Sequence, residues 1–375
     1  MDTCDVLIVG GGPAGSSCAW QLRQAGLNVV ALDAKRFPRD KVCAGWITPQ
    51  VIEDLRLDIT EYGRGRTLQP LSGFRVGLID GEETVEITYD RPVSYGIRRC
   101  EFDHYLLQRS EAHLRLGTPI SSIRRDGLQW IVNNTVKAPV LVGAGGHFCP
   151  VARMLNGNVE GAPLVVAQEV EFPLDRRDAG SFATAPEHPE LYFCRDLQGY
   201  GWLVRKQDYL NVGFGRLDRH GLPSASAEFV AFLKAAGRIP RDAQWQWQGH
   251  AYLLSEPPAR RMVDDGVMLV GDAAGLAYPQ SGEGIRPAIE SGLLAAATIV
   301  GANFRYSRDR LEPYVEQLHA RYGVRPVSRL LSRAVPAWLQ PALAPSLFIR
   351  PWFVRRLLLD RWFLHTEEPA LASIH

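Results

Sequence analysis

Asp5-Val-Leu-Ile-Val-Gly-Gly-Gly-Pro-Ala-Gly15, continuing through Ser16-Ser-Cys-Ala-Trp-Gln-Leu-Arg-Gln-Ala-Gly26 to Asn28-Val-Val-Ala-Leu-Asp33, decides the fold. An apolar run of strand length leads into a glycine turn, an amphipathic helix, a second apolar strand and a terminal carboxylate. That order is a complete dinucleotide-binding βαβ unit. Each residue type in it has a physical job. Gly10 permits the tight turn, Gly12 lets the backbone approach a pyrophosphate, and Gly15 lets the helix pack close to the strand. The helix N-terminus offers N–H groups and a positive dipole end to phosphates. Asp33 closes the second strand, placed to accept hydrogen bonds from an adenosine ribose.

Working outward, a polar loop runs from Ala34 to Gly45, and a helical segment follows near Thr48–Leu57. Gly73–Ile79 and Thr84–Tyr89 alternate like strands, and the stretch from Arg98 to Leu107 opens a helix. Val140-Leu-Val-Gly-Ala-Gly-Gly146 reads as a buried strand ending in a glycine turn. From Leu164 to Leu217 the pattern is period-two and aromatic. Val267–Val270 is again a parallel-type strand, and Gly284–Ala302 a helix. The expected organisation is a discontinuous dinucleotide domain at 1–160 plus 260–302, with strands near 70–95 able to join a second sheet. A β-rich insertion at 161–259 and a helical region at 303–375 complete it.

Composition narrows the class. The 375 residues are 46% hydrophobic and 22% charged, with a formal net charge of +1. That suits a globular chain with a sizeable core and gives no electrostatic footprint for nucleic acid. Six scattered cysteines without a CxxC pair argue against a disulfide framework or zinc site and favour a reducing compartment. The start Met1-Asp2-Thr3 lacks a basic n-region, and no apolar run approaches the roughly 20 residues of a membrane span. A cytoplasmic protein is expected, soluble or peripheral to a membrane. There is no GxSxG elbow, HExxH or His/Cys ligand cluster, so no metal is expected.

Three further motifs carry a resemblance. They are Lys41-Val-Cys-Ala-Gly45, Arg99-Cys-Glu-Phe-Asp103 and Gly271-Asp-Ala-Ala-Gly-Leu-Ala-Tyr-Pro-Gln-Ser-Gly-Glu-Gly-Ile-Arg286. On these, over roughly residues 4–300, the chain resembles the geranylgeranyl reductase family of FAD-dependent oxidoreductases, within the p-hydroxybenzoate hydroxylase-like flavoproteins. The resemblance implies an α/β fold: a Rossmann-like FAD-binding domain of the glutathione reductase/p-hydroxybenzoate hydroxylase type, with an inserted β-sheet-rich substrate domain. It implies FAD as cofactor. Gly10, Gly12, Ala14, Gly15, Asp33, Ala34, Lys35, Lys41, Cys43, Ala44, Arg99, Asp272, Gly282, Gly284 and Ile285 are the implied binding residues. Asp272 would meet the ribityl or phosphate region, and Gly284 and Ile285 the ring.

Gly199-Tyr-Gly-Trp-Leu-Val-Arg-Lys-Gln-Asp-Tyr-Leu-Asn-Val-Gly-Phe-Gly215 is similar to the family's substrate-side motif. Tyr200 and Trp202 are two apart and share a strand face, so they either wall an apolar pocket or pack in the sheet. Val204-Arg205 departs from the usual Phe-Pro, and Arg205 is a candidate anchor for an anionic substrate group. Gly145 stands where the family has aspartate, which weakens a nicotinamide contact. Trp46 replaces a small residue beside Cys43 and would close or reshape the cavity there. Catalytic candidates near a flavin are thus Cys43, Trp46, Tyr200, Trp202 and Arg205; His147 and His250 are weaker proton-donor candidates. Trp245 and Trp247 put two indoles on one strand face.

The resemblance implies reduction of a carbon–carbon double bond in an apolar substrate, isoprenoid or polycyclic. A flavin-dependent monooxygenase or halogenase-like enzyme is the alternative reading, and a non-catalytic flavin-binding protein the third. NAD(P)H or a ferredoxin-like protein would supply electrons, with Gly145 favouring the latter. The tail from Phe304 holds eleven arginines, no lysine and six acids, interspersed with Trp338, Trp352 and Trp362. It suits either packed helices or a peripheral membrane contact.

Overall fold

The computed structural model describes residues 1–157, 164–174, 184–218, 220–253, 260–323 and 346–373. The chain divides into two compact units: Met1–Asp40, Cys100–Pro163 and Tyr252–Val324 form the first, and Lys41–Arg99, Leu164–Ala251 and Arg325–His375 the second.

Unit 1 is built on a six-stranded sheet ordered Val263–Asp264, Val267–Leu269, Val140–Gly143, Val6–Val9, Val29–Asp33, His113–Leu116. All neighbours after the first pair run parallel. Val6–Val9 and Val140–Gly143 are buried at every position, as a strand covered on both faces must be. In chain order the strands step outward from Val6–Val9 in one direction and then continue from Val140 in the other. The switch point therefore lies between the ends of these two strands, where ligands bind in such folds. The helices Pro13–Gln24 and Ile285–Gly301 cross closely, since a Cβ on Gly292 would overlap the Ala14 carbonyl. A smaller sheet of Asp2–Thr3, Gln129–Val132, Ile123–Asp126 and Val136–Ala138 completes the unit.

Unit 2 holds a seven-stranded sheet ordered Gln248–Leu253, Leu164–Pro173, Tyr209–Arg216, Gly199–Lys206, Glu190–Phe193, Gly73–Leu78, Thr84–Thr88. One face packs against the helix Leu222–Ala235 through Leu203, Leu210, Val212, Phe214, Phe229 and Leu233. A Cβ on Gly201 would strike the Phe229 ring, so that glycine lets the helix sit close. A three-stranded sheet of Trp46–Ile47, Ser94–Ile97 and Leu68–Leu71 stands beside it.

Two expectations meet a different arrangement. Residues 41–99 group with unit 2, because Gly73–Leu78 pairs in parallel with Glu190–Phe193 and carries Thr84–Thr88 with it. The region from 303 onward is not one body either. Helix Arg308–Tyr322 belongs to unit 1, whereas Pro351–Phe353 and a π-helix at Val354–Phe363 belong to unit 2. There Phe348, Phe353, Val354, Leu358, Leu359 and Phe363 are buried, so this stretch is a packed one. Trp338 lies outside the described residues. Trp245 and Trp247 precede the strand that begins at Gln248 rather than sharing its face, and they pack edge to face at 6.0 Å.

Candidate functional site

At the switch point of unit 1, Gly10 has φ +116°, and a Cβ there would overlap the Ala144 backbone. A Cβ on Gly15 would overlap the Gly10 carbonyl. Both glycines are thus demanded by the protein's own packing. Gly12 differs. Its Cβ would meet only Arg39 Nη2, at 3.4 Å, so the space before it is open to a ligand. Gly12 also starts the helix Pro13–Gln24, which has no side-chain cap and no acid in its first turn. An open approach, an uncapped helix start and a nearby arginine fit a pyrophosphate. Arg39 is oriented by the buried Asp103 carboxylate at 3.4 Å and lies 4.6 Å over the Phe37 ring.

Asp33 braces this turn: its carboxylate accepts the Gly11 N–H at 2.8 Å and the Lys35 N–H at 2.7 Å. Each oxygen keeps a lone pair for a ribose hydroxyl. Ala34 and Lys35 are exposed on the following loop.

Beyond the strand Val267–Leu269, Gly271 at φ +60° turns the chain into Gly271–Ala273 and sets Asp272 at the sheet's edge. A Cβ on Gly284 would stand 3.2 Å from Asp272 Oδ1, a tight contact that glycine avoids. Gly282 turns at φ +69°, and Gly284 caps the helix Ile285–Gly301. That helix start is partly occupied from within, because Glu283 Oε1 accepts the Arg286 N–H at 2.8 Å. Arg286 is fully buried and pairs with Glu290 at 2.7 Å; Glu290 also receives Arg321 and Tyr322. Burial raises the Glu290 carboxyl, but Arg321 and Arg286 outweigh it and hold the group below the usual range. Glu290 thereby ties the helix Ile285–Gly301 to the helix Arg308–Tyr322. His147, on the turn after Gly145, is held below its ordinary value by burial and by the Arg260 charge. It is poorly suited to donate a proton near neutrality.

In unit 2 the face of the seven-stranded sheet away from the helix Leu222–Ala235 carries a buried polar cluster. Tyr200, Trp202, Val204 and Lys206 alternate onto it along one strand, opposite Gly215, Gly213, Asn211 and Tyr209. From the next strand come Glu169 and Glu171, paired with Gly213 and Asn211. Gly213 leaves room for the Trp202 indole, whose Nε1 donates to Asn211 Oδ1 at 2.7 Å. Lys206 is fully buried and donates to Glu171 Oε2 at 2.8 Å, while Arg98 Nε donates to Glu171 Oε1 at 2.9 Å. Burial raises the Glu171 carboxyl, but the two cations outweigh it and keep the group below the usual range. Burial pushes Glu169 up to about 7, and the Lys206 charge opposes this without outweighing it.

The Cys43 loop is fastened to this cluster. The Cys43 N–H donates to Glu169 Oε2 at 2.6 Å, and Asn211 Nδ2 donates to the Cys43 carbonyl at 3.3 Å. Gly45, at φ +70°, leaves space for the Lys206 ammonium, which lies 2.5 Å from where a Cβ would be. Beside the polar cluster stands an aromatic one. Tyr200 meets Phe193 at 5.3 Å and Phe363 at 5.4 Å, and Trp46 meets Phe74 at 6.0 Å and Phe363 at 6.3 Å.

Comparison with known proteins settles the class of this chemistry. The family described as FAD dependent oxidoreductase matches residues 5–78. The chain is 28% identical over 352 residues to the menaquinone reductase of Mycobacterium tuberculosis, covering 86% of this chain and 81% of that one. It is 26% identical to the geranylgeranyl diphosphate reductase of Synechocystis sp., covering 85% and 81%. Among solved structures, a geranylgeranyl bacteriochlorophyll reductase-like protein from Thermoplasma acidophilum superposes with a TM-score of 0.78 over 98% of both chains, at 19% identity. The chain is an FAD-dependent oxidoreductase with geranylgeranyl reductase-like homologues. Its cofactor is FAD, and unit 1 has the form of a Rossmann-type FAD domain.

Within this oxidoreductase the expected residues sort by unit. Gly10, Gly12, Ala14, Gly15, Asp33, Asp272, Gly282, Gly284 and Ile285 all fall in unit 1, with the turns gathered at the ends of its central strands. Lys41, Cys43, Ala44 and Arg99 fall in unit 2, where Arg99 is buried. Two substrate-side candidates take distinct places in unit 2. Arg205 does not share a face with Tyr200 and Trp202; it lies an odd number of residues away, at the hairpin end, where its Nε donates to the Gln207 carbonyl at 3.3 Å. The cation on the aromatic face is Lys206, and it is already paired. Trp46 is buried against Phe74 and Phe363. Arg39, Arg98, Glu169, Glu171 and Asn211 were missed. Only Lys206 had a visible signal, the period-two step from Tyr200 and Trp202.

Proposed function

We propose that this flavoprotein reduces a carbon–carbon double bond of an apolar, isoprenoid-type substrate. The observation that carries the reading is the match along most of the chain to a relative named as a geranylgeranyl diphosphate reductase. The aromatic cluster of unit 2 supports it, because Tyr200 is only half buried and Phe193, Phe363 and Trp202 back it with apolar surface. Bound FAD supplies hydride in its reduced form. The chain's own residues bind and orient. Gly12 admits the pyrophosphate, Arg39 meets its charge, Asp33 faces the ribose, and Asp272 with Gly284 and Ile285 receives the flavin end. Gly10, Gly15 and Gly282 shape the turns, and Ala14 the helix start. Cys43, Ala44, Lys41 and Arg99 belong to the same binding set, as do Ala34 and Lys35 at its rim.

The electron donor is read as a ferredoxin-like protein rather than NAD(P)H alone, because Gly145 offers no carboxylate at the turn after Val140–Gly143. A peripheral membrane contact is read from Trp352, which is 63% exposed beside the exposed Arg350, Arg355 and Arg356. Among the described residues no helix is long and apolar enough to cross a membrane. The function is tested by product analysis after anaerobic turnover: a product two hydrogens heavier supports a reductase, whereas a product that needs O₂ supports a monooxygenase.

A further inference from the structure

Both backbone polar groups of Cys43 are taken by side chains of adjacent strands. Glu169 Oε2 accepts its N–H at 2.6 Å and also the Asn211 Nδ2 donor at 3.2 Å; the same Asn211 nitrogen reaches the Cys43 carbonyl at 3.3 Å. Asn211 cannot turn over to serve otherwise, because its oxygen is held by Trp202 Nε1 at 2.7 Å. We propose that Glu169 is a positioning residue that registers the Cys43 loop on the sheet, gripping it firmly as a carboxylate and loosely as a carboxylic acid. This rests on the reading that the loop borders the flavin.

Among the described residues, the following groups face Glu169. Glu171 lies two residues along its own strand, Lys206 comes from Gly199–Lys206, and the neutral Asn211 comes from Tyr209–Arg216. The loop brings the Cys43 backbone and thiol, and Arg98 reaches Glu171 from the end of Ser94–Ile97. Glu171 stays ionised between its two cations, while burial leaves Glu169 to change charge at about pH 7. An ionised acceptor holds an N–H more strongly than a neutral one. The grip on Cys43 therefore tightens as pH rises through neutrality.

The test uses FAD-loaded protein and follows alkylation of Cys43 by iodoacetamide, mapped by peptide mass. Rates are compared from about pH 6 to about pH 8 in the native protein, E169Q and E169A, a unit either side of the Glu169 midpoint. The ratio of variant to native at each pH cancels the pH dependence that alkylation has in every protein, so it isolates the carboxylate. At about pH 8, E169Q is expected to label roughly fivefold faster than native, and at about pH 6 within roughly twofold. A ratio that stays flat with pH overturns the proposal. If E169Q does not fold, the native protein alone decides: Cys43 labelling relative to Cys100 should fall roughly fivefold over the same range, and a constant ratio overturns it. The visible absorbance of the bound flavin, recorded in parallel, tests the supporting reading separately. A spectral change that tracks labelling upholds the loop beside the flavin. Labelling that changes while the spectrum does not leaves the Glu169 role standing and removes the loop from the flavin.

Discussion

Lys206 Nζ lies 2.8 Å from Glu171 Oε2, fully buried on the sheet face that carries Tyr200 and Trp202. Removing one partner of a buried pair leaves the other charge uncompensated, which costs about 3–5 kcal/mol. Arg98 also pairs with Glu171, so the lower end applies here. Lys206→Ala should therefore lower stability by about 3 kcal/mol in urea denaturation of the flavin-loaded protein. Arg205→Ala, one residue earlier on the opposite face, should change it by less than about 0.5 kcal/mol. Equal losses at the two positions would show that the alternation has been assigned the wrong way round.

Gly12 and Gly15 should fail differently. Gly12→Val places its side chain in the open approach before Arg39, so the protein should fold but purify without flavin. Gly15→Ala drives a methyl group into the Gly10 carbonyl, so it should lose soluble, folded protein outright. Flavin content together with far-ultraviolet circular dichroism separates the two. A yellow, fully loaded Gly12→Val protein would place the pyrophosphate elsewhere.

Much of unit 1 was legible in the sequence because its signals are local. Strand, glycine turn, helix and acid follow one another from Asp5 to Asp33, and each residue type has one backbone reason to be there. The Gly271–Arg286 stretch is legible for the same reason. The polar cluster of unit 2 is not local. Glu169 meets Cys43 across 126 positions and Asn211 across 42, which becomes visible only once strand register is known. Glu169 and Glu171 also fit an ordinary strand with one wet face, so the pattern carries no sign that this face is buried. Arg205 stands out by its departure from the resembled motif, whereas the strand's own period leads from Tyr200 and Trp202 to Lys206.

The two aromatics of the sheet should separate binding from stability. Trp202 is buried and hydrogen-bonded, so Trp202→Ala should cost about 3–5 kcal/mol and leave Asn211 Oδ1 without its donor. Tyr200 is half buried, so Tyr200→Ala should keep both fold and flavin while raising KM for a long apolar substrate. An unchanged KM in Tyr200→Ala would take this face out of the substrate wall.

Glu169 sets the sign of a pH effect on stability. Its folded midpoint is raised from 4.5 to about 7, so the native state binds the extra proton across that window. The group's contribution to stability is highest below the window, falls as pH rises through it, and levels off above about 7. At roughly 1.4 kcal/mol per unit, the fall is at most about 3 kcal/mol. E169Q should lack this slope when urea denaturation is repeated at several pH values. A native protein whose stability rises because of this group would contradict the burial argument.

Direct reduction of the bound flavin by NADPH should be slow in stopped flow, and reduction by dithionite or a reduced ferredoxin fast. Flavin bleaching by NADPH alone at many turnovers per second would restore the nicotinamide as donor.

Anaerobic incubation of the pre-reduced protein with a geranylgeranyl substrate, followed by mass analysis, bears most directly on what the protein does. A double-bond reductase yields product two mass units heavier for each bond reduced, without any need for O₂. Product that appears only when O₂ is admitted, and that carries label from ¹⁸O₂, would make the chain a monooxygenase and contradict the proposed reaction.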